Sequence, residues 1–214
     1  MLGNKSYWGD DKMPPRTVFK KEDVLNVAYA IVKKEGFEGL NARRIAKELN
    51  SSVHPIFRHF TDMEELKKAV YKKIYAKYQE YMQIEINENK AYKKMGISYI
   101  KFAKDYPEFF KIIFMQKTDL NAENFVMSDK VGDNVIKAGQ KLTGLSFEEQ
   151  KKFHIKVWIF THGIACLVAT ATIKISDEKI SELLGSTVLE MLKGLKMTSY
   201  KKSIEKRKKF KKVF

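Results

Sequence analysis

The chain has 214 residues, of which 44% are hydrophobic, so it can bury a sizeable core as one larger domain or two small ones. Its single cysteine, Cys166, excludes an internal disulfide and suits a reducing cytoplasm. The longest apolar run, residues 157–173, is shorter than the ~20 residues of a membrane span and contains Thr161, His162 and Gly163, which argues against stable membrane insertion.

The net charge of +15 is unevenly distributed. Residues 196–214 carry nine basic side chains and one acidic one, so more than half of the excess lies in this segment. Residues 16–60 carry nine basic and five acidic side chains, which is a modest positive surface. This distribution agrees with binding to nucleic acid but does not establish it.

Residues 1–19 lack hydrophobic periodicity and include two glycines and two prolines, which is typical of a mobile arm. Arg16 in the arm, and Lys20 and Lys21 just after it, are candidate contacts to phosphate or to a minor groove. The alternative is a solvated leader.

An amphipathic helix is predicted after this arm. Its inward residues recur at helical spacing: Val24, Leu25, Ala28, Ile31 and Val32. Gly36 is expected to end the helix, because glycine readily adopts the left-handed conformation found just past a helix C-terminus.

Residues 40–60 predict two short helices joined by a tight turn. In the first helix, Asn41 is a favourable N-cap, and Ile45 and Leu49 lie four residues apart on one buried face. The turn begins at Asn50, because Asn tolerates left-handed backbone and the two serines that follow compete with the helix for hydrogen bonds.

The second helix is expected to begin with Ser52 as its N-cap and to hold Pro55 in its first turn, where the missing N–H costs nothing. Ile56 and Phe60 face the first helix. The outward residues are Val53, His54, Arg58 and His59. This is the layout of a helix-turn-helix, whose second helix offers side chains to the DNA major groove, although a small helical protein of another function can contain the same pair.

The sequence Thr61-Asp62-Met63-Glu64 predicts a capping box that starts another helix immediately after the second motif helix. This helix is expected to run to about Asn87, long enough to connect the first domain to the rest of the chain. Its inward residues are four apart: Leu66, Val70, Ile74 and Tyr78.

Residues 20–70 resemble the DNA-binding domain of the tetracycline-repressor (TetR) family. The resemblance rests on a helix ending in Gly36-Phe37, then Leu40, Ile45-Ala46 and Leu49, and a closing aromatic-Arg-His-Phe run. It implies that Arg43 reaches the major groove, where a guanine contact is expected. The DNA-binding residues implied are Asn41, Arg43, Arg44, Ser52, Val53, His54, Pro55, Phe57, Arg58 and His59.

Within this set the resemblance implies different roles. Val53 or Pro55 is expected to touch a thymine methyl, and His54 to reach a base or a phosphate. The residues better placed for phosphate are Asn41, Arg44, Arg58 and His59.

Three residues depart from the family pattern. Asn50 stands where the turn usually has Gly, Phe57 replaces a Tyr whose hydroxyl bonds a phosphate, and Met63 replaces a Lys that contacts the DNA backbone. The resemblance therefore implies weaker affinity and a shallower salt dependence, unless Lys20, Lys21 or Lys67 compensates.

The chain after residue 67 is expected to form a larger helical domain that extends to residue 197. A helix break is predicted at residues 87–89, and the next helix is expected to stop near Asp105, because Pro107 disfavours a helical Tyr106 and suits the start of the helix that follows. The inward residues between these points are Tyr92, Met95, Tyr99, Phe102 and Ala103.

Residues 116–128 are polar and expected to be irregular, and a helix weakened by two glycines is predicted from residue 129 to about 142. Ser146 and Glu149 form a second capping box, for a helix that runs to about Lys174. Ser176 and Asp177 cap the last helix. Its inward residues are Ile180, Leu183, Leu184, Val188, Met191, Leu192 and Leu195.

The two last helices are apolar on more than one face, which predicts a homodimer that pairs them in a four-helix bundle. The alternative is that both are central core helices of one monomer. A dimer also suits a helix-turn-helix, because two motifs related by a dyad read a palindrome with half-sites about 34–36 Å apart or a multiple of that.

The second domain resembles the ligand domain of a TetR subgroup marked by Trp158 and by His162-Gly163 in the penultimate helix. The resemblance implies a small effector, often apolar or cationic in that family and expected here to be apolar or aromatic, whose binding spreads the two DNA-binding domains. The pocket candidates are Phe102, Phe109, Phe110, Phe114, Met115, Trp158 and His162. The alternative for each of them is a place in the core.

Catalysis has no support in the sequence. His162 and Cys166 are four residues apart, the spacing of a helical Cys–His pair, but no acid or oxyanion donor accompanies them. The other histidines lack partners at metal-ligand spacing, and there is no glycine-rich phosphate loop, so no metal or cofactor is expected.

The sequence therefore predicts an all-α protein with an arm (1–19), a three-helix helix-turn-helix domain (20–66), a ligand-binding and dimerisation domain (67–197) and a basic tail (198–214). The expected function is a cytoplasmic bacterial repressor that a small molecule releases from a palindromic operator. One alternative is a nucleoid-type protein that binds DNA without sequence preference. Another is binding to a membrane surface by the tail, where Phe210, Val213 and Phe214 interleave with lysines.

Overall fold

The computed structural model describes residues 19–83, 91–119, 124 and 130–210, and every regular element within these residues is helical. This confirms the all-α fold. The mobile arm, the break at residues 87–89, most of the irregular segment 116–128 and the end of the basic tail lie outside the described residues.

Four helices form the N-terminal part. They are α1 (Lys21–Glu35), α2 (Ala42–Glu48), α3 (His54–His59) and α4 (Met63–Met82), with a single 3₁₀ turn at Phe37–Gly39. The larger C-terminal part follows. Its helices are α5 (Ala91–Asp105), α6 (Pro107–Phe114), α7 (Lys130–Thr143), α8 (Phe147–Ala169) and α9 (Asp177–Phe210).

The α1 helix has the predicted inner face and the predicted end. Val24, Ala28, Ile31 and Val32 are buried, and Leu25 is half-buried. Gly36 follows with a φ of +68°, and its N–H donates to the Val32 carbonyl at 3.0 Å.

The α4 helix begins one residue later than the predicted capping box. Asp62, not Thr61, is the N-cap, and its carboxylate accepts from the Glu65 N–H at 2.8 Å. Glu65, not Glu64, reaches back, and it accepts from the Thr61 N–H at 2.6 Å and from the Thr61 hydroxyl at 2.8 Å. These two bonds lower the pKa of the Glu65 carboxyl. The shift arises because Asp62 is itself a strong N-cap.

The α4 helix joins the two parts of the molecule. Leu66 and Val70 are buried at its N-terminal end, and Tyr78 and Met82 at its C-terminal end. A 20-residue helix is about 30 Å long, so α4 reaches from the helix-turn-helix into the second domain. It ends at Met82, before the expected Asn87, because Gln83 leaves the helical conformation with a ψ of 71°.

The α5 helix is the centre of the C-terminal part and packs against α4, α6, α7, α8 and α9. Gly96 permits the close approach of α9, since a Cβ there would lie 3.0 Å from a methyl of Leu184. Most of the buried apolar residues form one hydrophobic cluster that extends from Val24 in α1 to Leu184 in α9.

The α8 helix begins as predicted, with a capping box between Ser146 and Glu149. The expectation that it continues to Lys174 is wrong, because it ends at Ala169. Ala171 has a φ of +54° and donates to the Val168 carbonyl, and the Thr172 N–H donates to the Leu167 carbonyl. These two bonds form a Schellman motif in which alanine occupies the position usually taken by glycine.

The α9 helix begins at the predicted cap, where the Ser176 hydroxyl accepts from the Lys179 N–H at 3.2 Å. Of its predicted inward residues, Ile180 and Leu184 are buried. The others are half-buried in one protomer: Leu183, Val188, Met191, Leu192 and Leu195. Each helix in the described part of the chain is too short or too polar to cross a bilayer.

Candidate nucleic-acid interface and internal cavity

The helix-turn-helix is held by local hydrogen bonds and by a shared apolar face. The Asn41 side chain caps α2 by accepting from the Arg44 N–H at 2.9 Å, as predicted. Asn50 turns the chain with a φ of +48°, which explains why Asn can replace Gly here. Ile45 and Ile56 are fully buried between the two helices and α1.

The predicted cap of α3 is wrong by one residue. Val53, not Ser52, is the N-cap, and it makes no side-chain cap bond. The Ser51 hydroxyl donates instead to the Ser52 carbonyl at 3.0 Å. Pro55 lies in the first turn of α3, as expected. The fixed φ of this proline, and not a polar N-cap side chain, therefore favours the start of the helix.

Most of the predicted DNA-binding residues share one exposed surface around α2 and α3. Arg43 is exposed, and no described residue forms an ion pair with it. Val53 is 39% and Phe57 46% exposed, unusually high values for large apolar side chains. The remaining exposed members are Asn41, Ser52, His54 and Arg58. Pro55 is half-buried.

Two predicted phosphate contacts already have partners within the protein. Arg44 lies 3.0 Å from Glu35 and 3.2 Å from Glu48. The His59 ring is half-buried, and its Nε2 lies 2.7 Å from the Phe19 carbonyl oxygen. Arg44 thus connects the helix-turn-helix to the end of α1, and His59 connects it to the residues just before α1.

Of the three lysines proposed to compensate for Met63, two have partners within the protein and one is exposed. Lys21 lies over the Phe60 ring at 4.6 Å and 3.6 Å from Glu65, and Lys67 lies 2.7 Å from Glu64. Lys20 is exposed next to α1. Exposed ion pairs of this kind are worth little, so these lysines remain available to a polyanion.

The second domain contains a cavity bounded by α4, α5, α7 and α8. The space between its walls is about 430 Å³, a volume that includes solvent at the open mouth. Six aromatic or methionine side chains form most of its wall: Tyr78, Met82, Tyr92, Met95, Tyr99 and Trp158. Val157, Thr161, His154 and two glycines complete the described part of the wall, and none of these wall residues is Asp, Glu, Lys or Arg.

Of the seven predicted pocket residues, the structure brings only Trp158 to this wall. Phe102, Phe109 and Phe110 are fully buried in the core, and Met115 is 40% exposed. Phe114 and His162 lie just behind the wall. Phe114 packs against Tyr78 and Tyr99 at 5.1 Å between ring centroids.

The aromatic pair Trp158 and His162 is stacked, with centroids 4.5 Å apart and an interplanar angle of 9°. The His162 Nδ1 lies 3.0 Å from the Tyr99 hydroxyl, and its Nε2 lies 3.3 Å from the Cys166 sulfur. His162 therefore orients two residues of the wall, Trp158 and Tyr99, from behind.

The His162–Cys166 pair has the predicted contact but the wrong electrostatics for a nucleophile. Burial raises the pKa of the Cys166 thiol and lowers the pKa of His162. Both groups are thus held in their neutral forms, whereas a catalytic pair needs a thiolate. Among the described residues, no three His, Cys, Asp or Glu side chains are grouped to hold a metal ion.

His154 is a wall residue that sequence reasoning missed. It is 1% exposed, and its Nδ1 is buried without a hydrogen-bond partner among the described residues. Burial lowers its pKa to about 4, against an opposing effect of Asp133. Gly132 makes room for the ring, since a Cβ there would lie 3.0 Å from Nε2. The sequence signal was a His one turn before Trp158, paired with a glycine in the preceding helix.

Residues 24–70 match the family model of bacterial regulatory proteins of the tetR family. Among solved structures, a TetR-like transcriptional regulator from Rhodococcus sp. RHA1 is 16% identical at a TM-score of 0.57, with 81% of this chain and 96% of that chain covered. A protein of unknown function from the same organism is 18% identical at a TM-score of 0.63, with 86% and 98% covered.

A putative TetR-family transcriptional regulator from Vibrio parahaemolyticus is 18% identical at a TM-score of 0.51, with 79% of this chain and 97% of that chain covered. No curated protein matches the sequence. At these identities the solved structures show a shared fold, while the family model identifies the N-terminal domain. Residues 24–70 therefore match the helix-turn-helix domain of the bacterial regulatory proteins of the tetR family, and the chain as a whole has the fold of TetR-like regulators.

Proposed function

We propose that the protein is a transcriptional repressor of the bacterial cytoplasm that binds a palindromic operator as a homodimer and leaves it when a small molecule enters the cavity. The observation that carries this proposal is the position of α4. Its N-terminus follows the recognition helix α3 directly, and its C-terminal half supplies Tyr78 and Met82 to the cavity wall.

The α4 helix supports a coupling between the two sites for a simple reason. A molecule that displaces Tyr78 or Met82 shifts a rigid helix whose other end follows α3 directly and carries Glu65, which lies 3.6 Å from Lys21 of α1. Such a molecule acts as an inducer only if it binds the DNA-incompetent state more tightly, since equal affinity for both states shifts no equilibrium.

The outer faces of α8 and α9 support the dimer. Ile159 and Leu167 of α8 are 53% and 41% exposed, and Leu189 of α9 is 58% exposed. Such large apolar side chains on the two terminal helices of one protomer favour burial against a second copy.

Selection of bound sequences from a random duplex pool tests the proposal. It is carried out at about 0.15 M salt with excess nonspecific DNA, where backbone binding alone is suppressed. We expect an inverted repeat with half-sites about 34–36 Å apart or a multiple of that. Recovery of no motif from an intact dimer with tight, salt-sensitive binding would favour a nucleoid-type function and direct attention to the basic tail.

A further inference from the structure

Three hydroxyl groups of the cavity wall have polar partners within the protein, whereas one buried nitrogen of the wall has none among the described residues. The Thr161 hydroxyl donates to the Val157 carbonyl at 2.8 Å, and the Tyr92 hydroxyl accepts from the Gln150 amide at 2.8 Å. The Tyr99 hydroxyl lies 3.0 Å from His162. The exception is the Nδ1 of His154.

An unsatisfied nitrogen is costly at this depth. The His154 side chain is almost completely buried, so water does not hydrate it freely, and a buried polar group without a partner destabilises the protein that holds it. A bound molecule that supplies the missing hydrogen bond removes this cost. The free energy that the empty protein loses at His154 is thereby available for binding.

The charge of the wall limits what that molecule is. Among the described residues neither acidic nor basic side chains line the cavity, and the charge that acts on His154 comes from Asp133, which is exposed outside it. An ionised ligand would lose its hydration without gaining a counter-ion. The aromatic and methionine wall favours an apolar or aromatic body instead.

The structure assigns to this cavity an uncharged aromatic or apolar molecule with a hydroxyl group, and the hydroxyl pairs with the Nδ1 of His154. A hydroxyl both donates and accepts, so it satisfies either tautomer of a neutral imidazole. The low pKa of His154 keeps the ring neutral at physiological pH. This assignment rests on the proposed function only in treating the cavity as the effector site.

Isosteric probes test the assignment. In a Trp8→Phe background, Trp158 is the sole tryptophan and lies in the cavity wall, so its emission, excited at the red edge of its absorption, reports occupancy. We titrate 4-ethylphenol, its methyl isostere 4-ethyltoluene, the anion 4-ethylbenzoate and the cation 4-ethylbenzylammonium, and repeat each titration by calorimetry.

We expect 4-ethylphenol to bind about tenfold more tightly than 4-ethyltoluene and the two ions to bind most weakly. In His154→Phe this preference should fall to about one, while 4-ethyltoluene still binds, which shows that the variant is folded. Thr161→Val is the matched control and should keep the preference, because the Thr161 hydroxyl already donates within its own helix.

The assignment is overturned if 4-ethylphenol does not bind, if an ion binds more tightly than it, if His154→Phe keeps the preference, or if Thr161→Val loses it. These titrations contain no DNA. Failure here therefore leaves the operator result intact, and failure to recover an operator leaves the role of His154 intact.

Discussion

At the scale of single residues, neighbouring arginines in α2 have different surroundings. Arg43 is exposed without an ion pair among the described residues, whereas Arg44 lies within salt-bridge distance of Glu35 and Glu48. The resemblance to the TetR family placed Arg43 in the major groove and Arg44 on phosphate, and the ion pairs show why the second arginine is less free to move.

We expect Arg43→Ala to weaken operator binding by roughly 1–3 kcal/mol and to relax specificity at one base pair, because a bidentate guanine contact is lost. Binding isotherms on operator variants measure both effects. Lys152→Ala, which removes one exposed cation from α8, is the control and should leave both unchanged. Equal weakening on all sequences would reassign Arg43 to the phosphate backbone.

His154 makes stability depend on pH in a defined window. Its pKa is about 4 in the folded protein and 6.5 in the reference state, so the unfolded chain binds the proton first as the pH falls. The folded protein therefore loses about 3 kcal/mol of stability relative to the unfolded chain as the pH falls from about 6.5 to about 4.

Urea unfolding of the wild type and His154→Phe across this pH window measures the effect. We expect the free energy of unfolding of the variant to lack the His154 contribution to its pH dependence. We also expect the variant to be more stable by about 1–3 kcal/mol at pH 7, because it buries no unpaired nitrogen. Burial also lowers the pKa of His162, so His162 adds its own pH dependence to the free energy of unfolding of both proteins. Parallel pH profiles would show that His154 does not titrate as described.

At the scale of elements, helix starts were predictable wherever one strong cap stood alone. Asn41, Ser146 and Ser176 cap α2, α8 and α9 as their sequences indicate. The predictions at Ser52 and Thr61 were each wrong by one residue. At α3 the proline in the first turn sets where the helix begins, and at α4 Asp62 is a stronger N-cap than Thr61.

Replacement of Ala171 by Gly should stabilise the protein by about 0.5–1 kcal/mol, because alanine is strained at a φ of +54° and glycine is not. Thermal and urea unfolding measure the change. The same replacement at exposed Ala30 in α1 is the control, and it should destabilise by about 1 kcal/mol. Loss of stability in both variants would contradict the strain at Ala171.

At the scale of the whole molecule, α1 and α6 join the two parts beside the long connection through α4. The Tyr29 and Phe109 rings lie 4.9 Å apart, and Lys33 lies over the Tyr106 ring at 4.8 Å. The continuous core means that the DNA-binding surface and the cavity belong to one packed body, which suits transmission of a small displacement.

The dimer proposal predicts that Leu189→Glu and Ile159→Glu weaken self-association about tenfold or more and weaken operator binding with it, because a buried carboxylate in an apolar interface is costly. Sedimentation equilibrium measures the first effect, and duplex titration the second. Tyr71→Glu, at a 39% exposed apolar position on α4, is the control for the oligomeric state. A dimer that survives both substitutions would place the interface elsewhere.

The sequence by itself determined the class of fold, the order of the helices and most of the exposed residues of the helix-turn-helix, because caps, prolines and apolar spacing act within a few residues. It did not determine the wall of the cavity. Tyr78, Tyr92, Gly132 and His154 come from four different helices, and only their packing distinguishes a wall residue from a core residue such as Phe110. The unpaired nitrogen of His154 likewise exists only in the tertiary structure, since burial and the absence of a partner are properties of the packed chain.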